Sequence, residues 1–420
     1  MTDKKIKILT LSDHPLTPSG VGTQTRYIIE GMLKTGKYEF ISFGGLMKHE
    51  DYRPIRTEEW GDKWTIIPTD GYGTQENIRA MLWAEKPDIL WFMTDPRFFG
   101  WLWQIEEEVR HNVPMIYYHV WDNYPYPKFN KSSYNSNDFI ATISKVTDDI
   151  VRNVAPNVET QYIPHAVNLE IFKPLEEDVV EQIRRDNFKD NKDKFIVFWN
   201  NRNARRKLGA TLIKWFKTFL DKVGHDKAIL LMHTNPRDNA GSNLEAFIED
   251  LGINDGQVLF SKEKLDMPSL AAMYNMVDCT INISDAEGFG LATLESLSCA
   301  TPIIVNMTGG LQEQVTKGDE WFGIGLKPAS RAIVGSQQVP YIYEDRLSEE
   351  LVVEALVEMY DKTPEERKEL GLKGRAHVEK NYNFEDYIKT WDEVFTKVHK
   401  ECGSWDSRKR QQNWTLKELT

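Results

Sequence analysis

Cysteine is scarce in this chain: Cys279, Cys299 and Cys402 are the only three in 420 residues. They are far apart in sequence, which gives neither a disulfide framework nor metal-ligand spacing, and a reducing, cytoplasmic setting is expected. Long apolar runs are also missing. Met1-Thr2-Asp3-Lys4-Lys5 leads straight into the strand-like Ile6-Lys7-Ile8-Leu9-Thr10-Leu11, with no apolar signal region and no stretch of bilayer length. There is no internal repeat, and before the C-terminal tail no segment has a disordered composition. Positive charge is in deficit: 52 Lys and Arg face 64 Asp and Glu, a net −12. That argues against a broad electrostatic grip on nucleic acid but leaves room for a local basic groove.

What the chain does have is apolar mass. Hydrophobic residues make up 40% and aromatics 11%, enough for large cores, and the length suits about two to three domains. Short β-branched or aromatic runs alternate with helical patterns, which predicts parallel sheets covered on both faces. Strand-like runs in the first block are Phe40–Phe43, Ile89–Phe92, Met115–Tyr118 and Phe139–Thr142. The second block opens at Phe195-Ile196-Val197-Phe198-Trp199. The expected division is a first domain over 1–170, a linker over 171–194, a second domain over 195–382, and a final helix and tail over 383–420.

The densest chemistry lies in Ser284-Asp285-Ala286-Glu287-Gly288-Phe289-Gly290-Leu291-Ala292-Thr293-Leu294-Glu295. An apolar strand, Val277–Ile283, precedes it, and leucines at 291, 294 and 297 follow at helical spacing. Strand, glycine turn and helix in that order put backbone N–H groups and a positive dipole end at the carboxyl edge of a sheet, where diphosphates bind. Two acids there, Glu287 and Glu295, suit neutral sugar hydroxyls. The segment resembles the Glu-x7-Glu signature of retaining GT-B glycosyltransferases, most closely glycosyltransferase family 4. Cys299–Val305 and Gly309-Gly310-Leu311-Gln312-Glu313 look like that family's next strand and Gly-Gly loop. The resemblance implies two Rossmann-like domains facing across a cleft, with Phe384–Lys400 crossing back to the first. It implies that Glu287 contacts the transferred sugar and Glu295 the ribose of a nucleotide, with Gly288, Phe289, Gly290 and Leu291 lining the donor.

A second glycine turn, Pro18-Ser19-Gly20-Val21-Gly22-Thr23-Gln24-Thr25, follows the opening strand. Alone it suggests an NAD-type oxidoreductase. However, Thr25 stands where the third glycine belongs, and no acid follows the second strand. By resemblance Gly20 and Gly22 instead face the donor phosphates or acceptor, while a tight turn needing positive φ is the plainer reading.

Asn200-Asn201-Arg202-Asn203-Ala204-Arg205-Arg206-Lys207 places four cations after a strand of an acidic protein, which invites phosphate. Arg202 and Lys207 match the family's Arg-x4-Lys diphosphate pair. The family usually continues Lys-Gly where this chain has Lys207-Leu208-Gly209, so Arg206 could share the role. His119 falls where the family commonly has a histidine near the sugar. Trp121, Asp122 and Asn123 in the proline-rich loop that follows are further candidates, and His14 and His165 weaker ones.

No Asp-x-Asp element is present and the histidines lack ligand spacing, so no metal and no cofactor beyond the donor is expected. The resemblance implies a reaction that moves a sugar from a nucleotide diphosphate-sugar to an acceptor hydroxyl with retention. For the acceptor, a glycan, a lipid-linked glycan or a small molecule is favoured, with aromatic loops (Trp60, Trp64, Tyr72, Phe98, Phe99, Trp101, Trp121, Tyr124, Tyr126) offering a flat surface. A hydroxymethylated nucleic-acid base is the alternative, to which the tail Arg408–Trp414 could lend cations. A non-catalytic nucleotide-sugar-binding protein is the rival of another class.

Overall fold

The computed structural model describes residues 4–409, and the chain divides into two compact units. Unit 1 gathers residues up to Trp121, then Tyr126–Pro164, then the chain from Glu385 onward. Unit 2 holds His165–Phe384 and takes in the short segment Asp122–Pro125.

Unit 1 is built on an eight-stranded sheet: β1 (Ile6–Asp13), β2 (Tyr38–Gly45), β3 (Ile55–Arg56), β4 (Trp64–Pro68), β5 (Ile89–Met93), β6 (Met115–His119), β7 (Phe139–Thr142) and β8 (Glu159–Tyr162). The order is β3-β4-β2-β1-β5-β6-β7-β8, parallel except for the edge strand β3. Both faces are covered, so β5 and β6 are buried at every position. The helix Phe384–Cys402 belongs to this unit. Its buried stripe, Tyr387, Trp391, Val394, Phe395 and Val398, has the spacing of one helix face. The Trp391 ring meets Trp91 at 5.9 Å and Tyr118 at 5.0 Å. Tyr38 Oη donates to Asp392 Oδ1 at 2.7 Å. Gly31 has no side chain because Ile388 fills that space.

Unit 2 is built on a six-stranded, all-parallel sheet of β9 (Phe195–Asn200), β10 (Ala228–His233), β11 (Val258–Ser261), β12 (Cys279–Asn282), β13 (Ile303–Asn306) and β16 (Gly323–Leu326), ordered β11-β10-β9-β12-β13-β16. Two hairpins accompany it, β14 (Thr316–Lys317) with β15 (Glu320–Trp321), and β17 (Ser330–Val334) with β18 (Ile342–Arg346). Trp199, Phe216, Phe219, Leu356 and Met359 anchor the core between sheet and helices. After β9 the chain winds outward to β10 and β11, then returns to place β12 on the other side of β9. Ligands in such sheets bind at that reversal, beyond the carboxyl ends of the two strands.

Three expectations need correction. The segment 171–194 is not a bare linker: it carries a helix, Glu177–Phe188, within unit 2, where Arg184 bonds Asp278 and the carbonyls of Lys192 and Lys194. Four of the nine loop aromatics are enclosed rather than displayed on a flat surface, and Trp60, Trp101 and Tyr124 are half-buried. Trp64, Tyr72, Phe99 and Trp121 are buried, with Trp64 donating to Ser42 and Tyr72 to Asp13, whereas Phe98 and Tyr126 are exposed. Arg408 is no free tail cation. Its guanidinium is buried against Asp138 at 2.7 Å and donates to the Arg110 carbonyl. Arg410–Trp414 lie outside the described residues.

Candidate active site at the carboxyl edge of the unit 2 sheet

The reversal between β9 and β12 is where the charged side chains gather. Two loops leave it: 201–208 after β9, and Ile283–Gly290 after β12. Asp285 N donates to the Arg206 carbonyl at 2.9 Å, and an Arg206 Nη donates to the Ala286 carbonyl, so the loops are joined by one backbone bond and one from a side chain.

Within that seam Lys207 Nζ closes on Glu287 Oε2, with both side chains drawn out of solvent (10% and 12% exposed). Asn282 Nδ2 approaches the same oxygen at 3.4 Å, and the Arg206 guanidinium stands 4.0 Å away. Burial alone would raise the Glu287 carboxyl. Lys207 and Arg206, with the bonds from Lys207 and Asn282, outweigh it and hold the group below its ordinary value. For Lys207 burial dominates and lowers the ammonium, Glu287 opposing it. Asp122 joins this cluster within unit 2. Burial lifts its carboxyl to about 6, Arg206 and Lys207 pulling down and Glu287 pushing up.

The four cations divide between different partners. Arg206 accompanies Lys207 at Glu287, while Arg202 is exposed and turns to Asp238 at 2.7 Å. The departure at Leu208 is resolved by its backbone. Leu208 sits at φ +59° and ψ +34°, the left-handed conformation that glycine adopts without cost.

Glycines let the loops approach. Gly309 has φ +49°, and a Cβ there would overlap the Glu287 backbone oxygen. Gly310 N donates to that same oxygen at 3.1 Å. Gly290, at φ +90°, caps the helix Leu291–Ser298, whose first N–H groups open toward the turn. Phe289 is buried, its ring against His165 at 4.9 Å and Tyr382 at 5.9 Å, while Gly288 and Leu291 are partly exposed. Eight residues beyond Glu287, the Glu295 carboxyl is raised by burial to about 7, with Tyr274 hydrogen-bonding to it.

Behind the seam stands a layer that carried no signal in the sequence. Arg346 on β18 meets Asp285 at 2.8 Å and Glu344 at 2.6 Å, and Arg205 pairs with Glu344 from the other side. Both carboxylates are almost wholly enclosed. The strand also bonds the Asp122–Pro125 segment: Tyr343 N donates to the Tyr124 carbonyl, and Asn123 Nδ2 to the Tyr343 carbonyl at 2.9 Å.

His119, Gly20, Gly22 and His14 belong to unit 1. His119 is fully buried at the end of β6, Nε2 sharing a 2.7 Å hydrogen bond with Tyr134 Oη, and burial lowers its pKa to about 3. Neither Gly20 nor Gly22 has positive φ. Gly22 is instead required by crowding, since a Cβ would lie 2.8 Å from the His14 carbonyl oxygen. Ser19 caps the helix Gly20–Lys34, accepting from Gly22 N and donating to Asp13 at 2.6 Å. His14 lies 5.8 Å from His49 and is lowered by burial and by that neighbour. Among the described residues no group of three or more His, Cys, Asp or Glu is placed to hold a metal, and no helix is long and apolar enough to cross a membrane.

Residues 179–351 match the family described as Glycosyl transferases group 1. This segment is a group 1 glycosyltransferase domain. The D-inositol 3-phosphate glycosyltransferase of Paenarthrobacter aurescens strain TC1 is 36% identical over 76 residues, 18% of each chain. A GDP-mannose-dependent monoacylated alpha-(1-6)-phosphatidylinositol monomannoside mannosyltransferase of Corynebacterium glutamicum is 35% identical over 101 residues, and the chain spans about a fifth of the length of each of these two relatives. Among solved structures, sucrose-phosphate synthase of Thermosynechococcus elongatus superposes with a TM-score of 0.74 at 18% identity, covering 94% of this chain and 100% of that one. Anabaena HepE, solved with UDP-glucose, gives 0.66 at 13% identity over 93% and 100%. The glycosyltransferase domain thus sits in a chain of GT-B fold, with two Rossmann-like units.

Proposed function

We propose that this chain is a retaining glycosyltransferase that takes a nucleoside diphosphate-sugar as donor. The observation that carries the reading is the pairing of Lys207 and Arg206 with Glu287 at the strand reversal of unit 2. Anabaena HepE has been solved with UDP-glucose, which supports a donor of this class.

In the proposed reaction the bond between the anomeric carbon and the diphosphate oxygen breaks, and the electron pair leaves with the diphosphate. Lys207 and Arg206, with the N–H groups at the start of Leu291–Ser298, stabilise the charge that grows there. Their two positive charges do the work a divalent cation does in metal-dependent transferases, so we read the reaction as metal-independent and needing no cofactor beyond the donor. The acceptor oxygen bonds to the anomeric carbon from the face the diphosphate leaves, and its proton passes to the departing phosphate oxygen. Glu287, kept ionised, accepts hydrogen bonds from the sugar hydroxyls, and Glu295 from the ribose.

The acceptor is read as a glycan, a lipid-linked glycan or a small hydroxylated molecule rather than a nucleic-acid base. A net charge of −12 and the enclosure of Arg408 both weigh against a polyanion. Incubating the protein with a panel of UDP-, GDP- and ADP-sugars, and following release of the nucleoside diphosphate, tests the reading. Release from one donor, with the α-anomer first formed from an α-linked donor, is expected. No release from any donor, with or without a pool of acceptors, overturns it.

A further inference from the structure

Glu295 is held from behind. Its Oε2 accepts from Tyr274 Oη at 2.9 Å, and that hydroxyl accepts from Asn200 Nδ2 at 2.8 Å. Tyr274 is fully buried near the end of the helix Met267–Asn275, its ring edge-on to Phe198 at 5.3 Å. Its carbonyl accepts from Thr301 Oγ1 at 2.7 Å, so backbone and ring are both pinned.

The direction of the chain follows from counting hydrogens. A phenol has one, and burial beside a carboxylate keeps it on the oxygen. Asn200 supplies a hydrogen to the Tyr274 oxygen, so the tyrosine's own hydrogen goes to Glu295. Oε2 is thereby fixed as an acceptor, and among the described residues no protein donor bonds Oε1.

We propose, resting on the nucleotide-sugar reading above, that Asn200 and Tyr274 are positioning residues. They orient Glu295 to accept from a vicinal diol and so set a preference for ribonucleotides over deoxyribonucleotides. Asn200 closes β9 just before the loop that carries Lys207, so sugar recognition and diphosphate recognition start from one strand end. Without the relay the carboxylate could swing about its side-chain torsions, and ordering it would be charged against each nucleotide bound.

The test is a titration calorimetry series. UDP, GDP and ADP identify the tightest nucleotide, and its 2′-deoxy form gives a ribo-to-deoxy affinity ratio, expected to be about tenfold or more for the native chain. Tyr274→Phe keeps the ring packing and removes the donated hydrogen. It should cut the ratio to about two- to threefold by weakening the ribonucleotide alone. Asn200→Ala should move the ratio the same way by less. An unchanged ratio in Tyr274→Phe overturns the relay; should that variant fail to fold, an unchanged ratio in Asn200→Ala does so. Failure of the native protein to bind any of the three nucleotides overturns the nucleotide-sugar reading itself.

Discussion

Lys207 and Glu287 form a nearly enclosed ion pair eighty residues apart in sequence, joining the loops after two neighbouring strands. Each is the other's compensation for leaving water. Lys207→Ala is expected to slow turnover about a hundred- to thousandfold, as for loss of one preorganised electrostatic donor. It should also lower the melting temperature by several degrees, because Glu287 is left without its partner. Adding Glu287→Gln should restore the melting temperature and leave activity low. A single variant that melts like the native protein would show that the pair does not support the fold.

Arg206 and Arg202 separate by their partners. Arg202→Ala removes an exposed pair with Asp238 and should change turnover by less than about fivefold. Arg206→Ala should cost about ten- to a hundredfold in steady-state assays. The reverse order would return the diphosphate role to Arg202.

Glu295 should make the ligand-free protein less stable in alkali. Its folded pKa of about 7 lies above the ordinary 4.5, so the native state holds the proton more tightly than the unfolded chain. The penalty is absent well below 4.5, grows as pH rises, and is complete above about 7. Glu295→Gln is therefore expected to stabilise by about 1–3 kcal/mol at pH 8 and by much less at pH 4.5. Thermal melts of both proteins at the two pH values decide it. Equal effects at both would mean the carboxyl is not shifted.

Leu208 bears a left-handed backbone without being glycine. Leu208→Gly should relieve about 1 kcal/mol of strain. The greater freedom of the unfolded glycine offsets part of this, so denaturant midpoints should match or slightly exceed the native one. Gly309→Ala should do the opposite, pushing the Glu287 backbone aside and abolishing turnover.

Arg346→Met leaves Asp285 and Glu344 enclosed with one shared cation fewer. A loss of about 3–5 kcal/mol in urea unfolding is expected, the cost of breaking a buried pair from one side. A loss under about 1 kcal/mol would show that water already reaches these carboxylates.

The local parts of this architecture could be read in the chain. The alternating runs announced the strands, and Glu287, Gly290 and Glu295 were marked by the strand–turn–helix pattern that surrounds them. Partners set by tertiary approach were not. Tyr274 looks like any aromatic near a helix end, and Arg346 like any charge on a polar strand. Which of four neighbouring cations reaches Glu287 depends on the path of 201–208, and only the backbone at Leu208 shows it. Asp122 stood among candidate residues with no sign that it joins unit 2. His119 and the loop aromatics were read from type and position, which carry no information about enclosure.

The three-part make-up of unit 1 has a consequence for biosynthesis. Every residue of unit 2 leaves the ribosome before Trp391 and Phe395 do, so unit 2 can complete its core while the chain is still growing. Unit 1 must wait, with Tyr38, Trp91 and Tyr118 uncovered, for the helix Phe384–Cys402 to be made. Cutting the chain near residue 383 would thus spare the later-encoded unit and leave the earlier one without its covering helix.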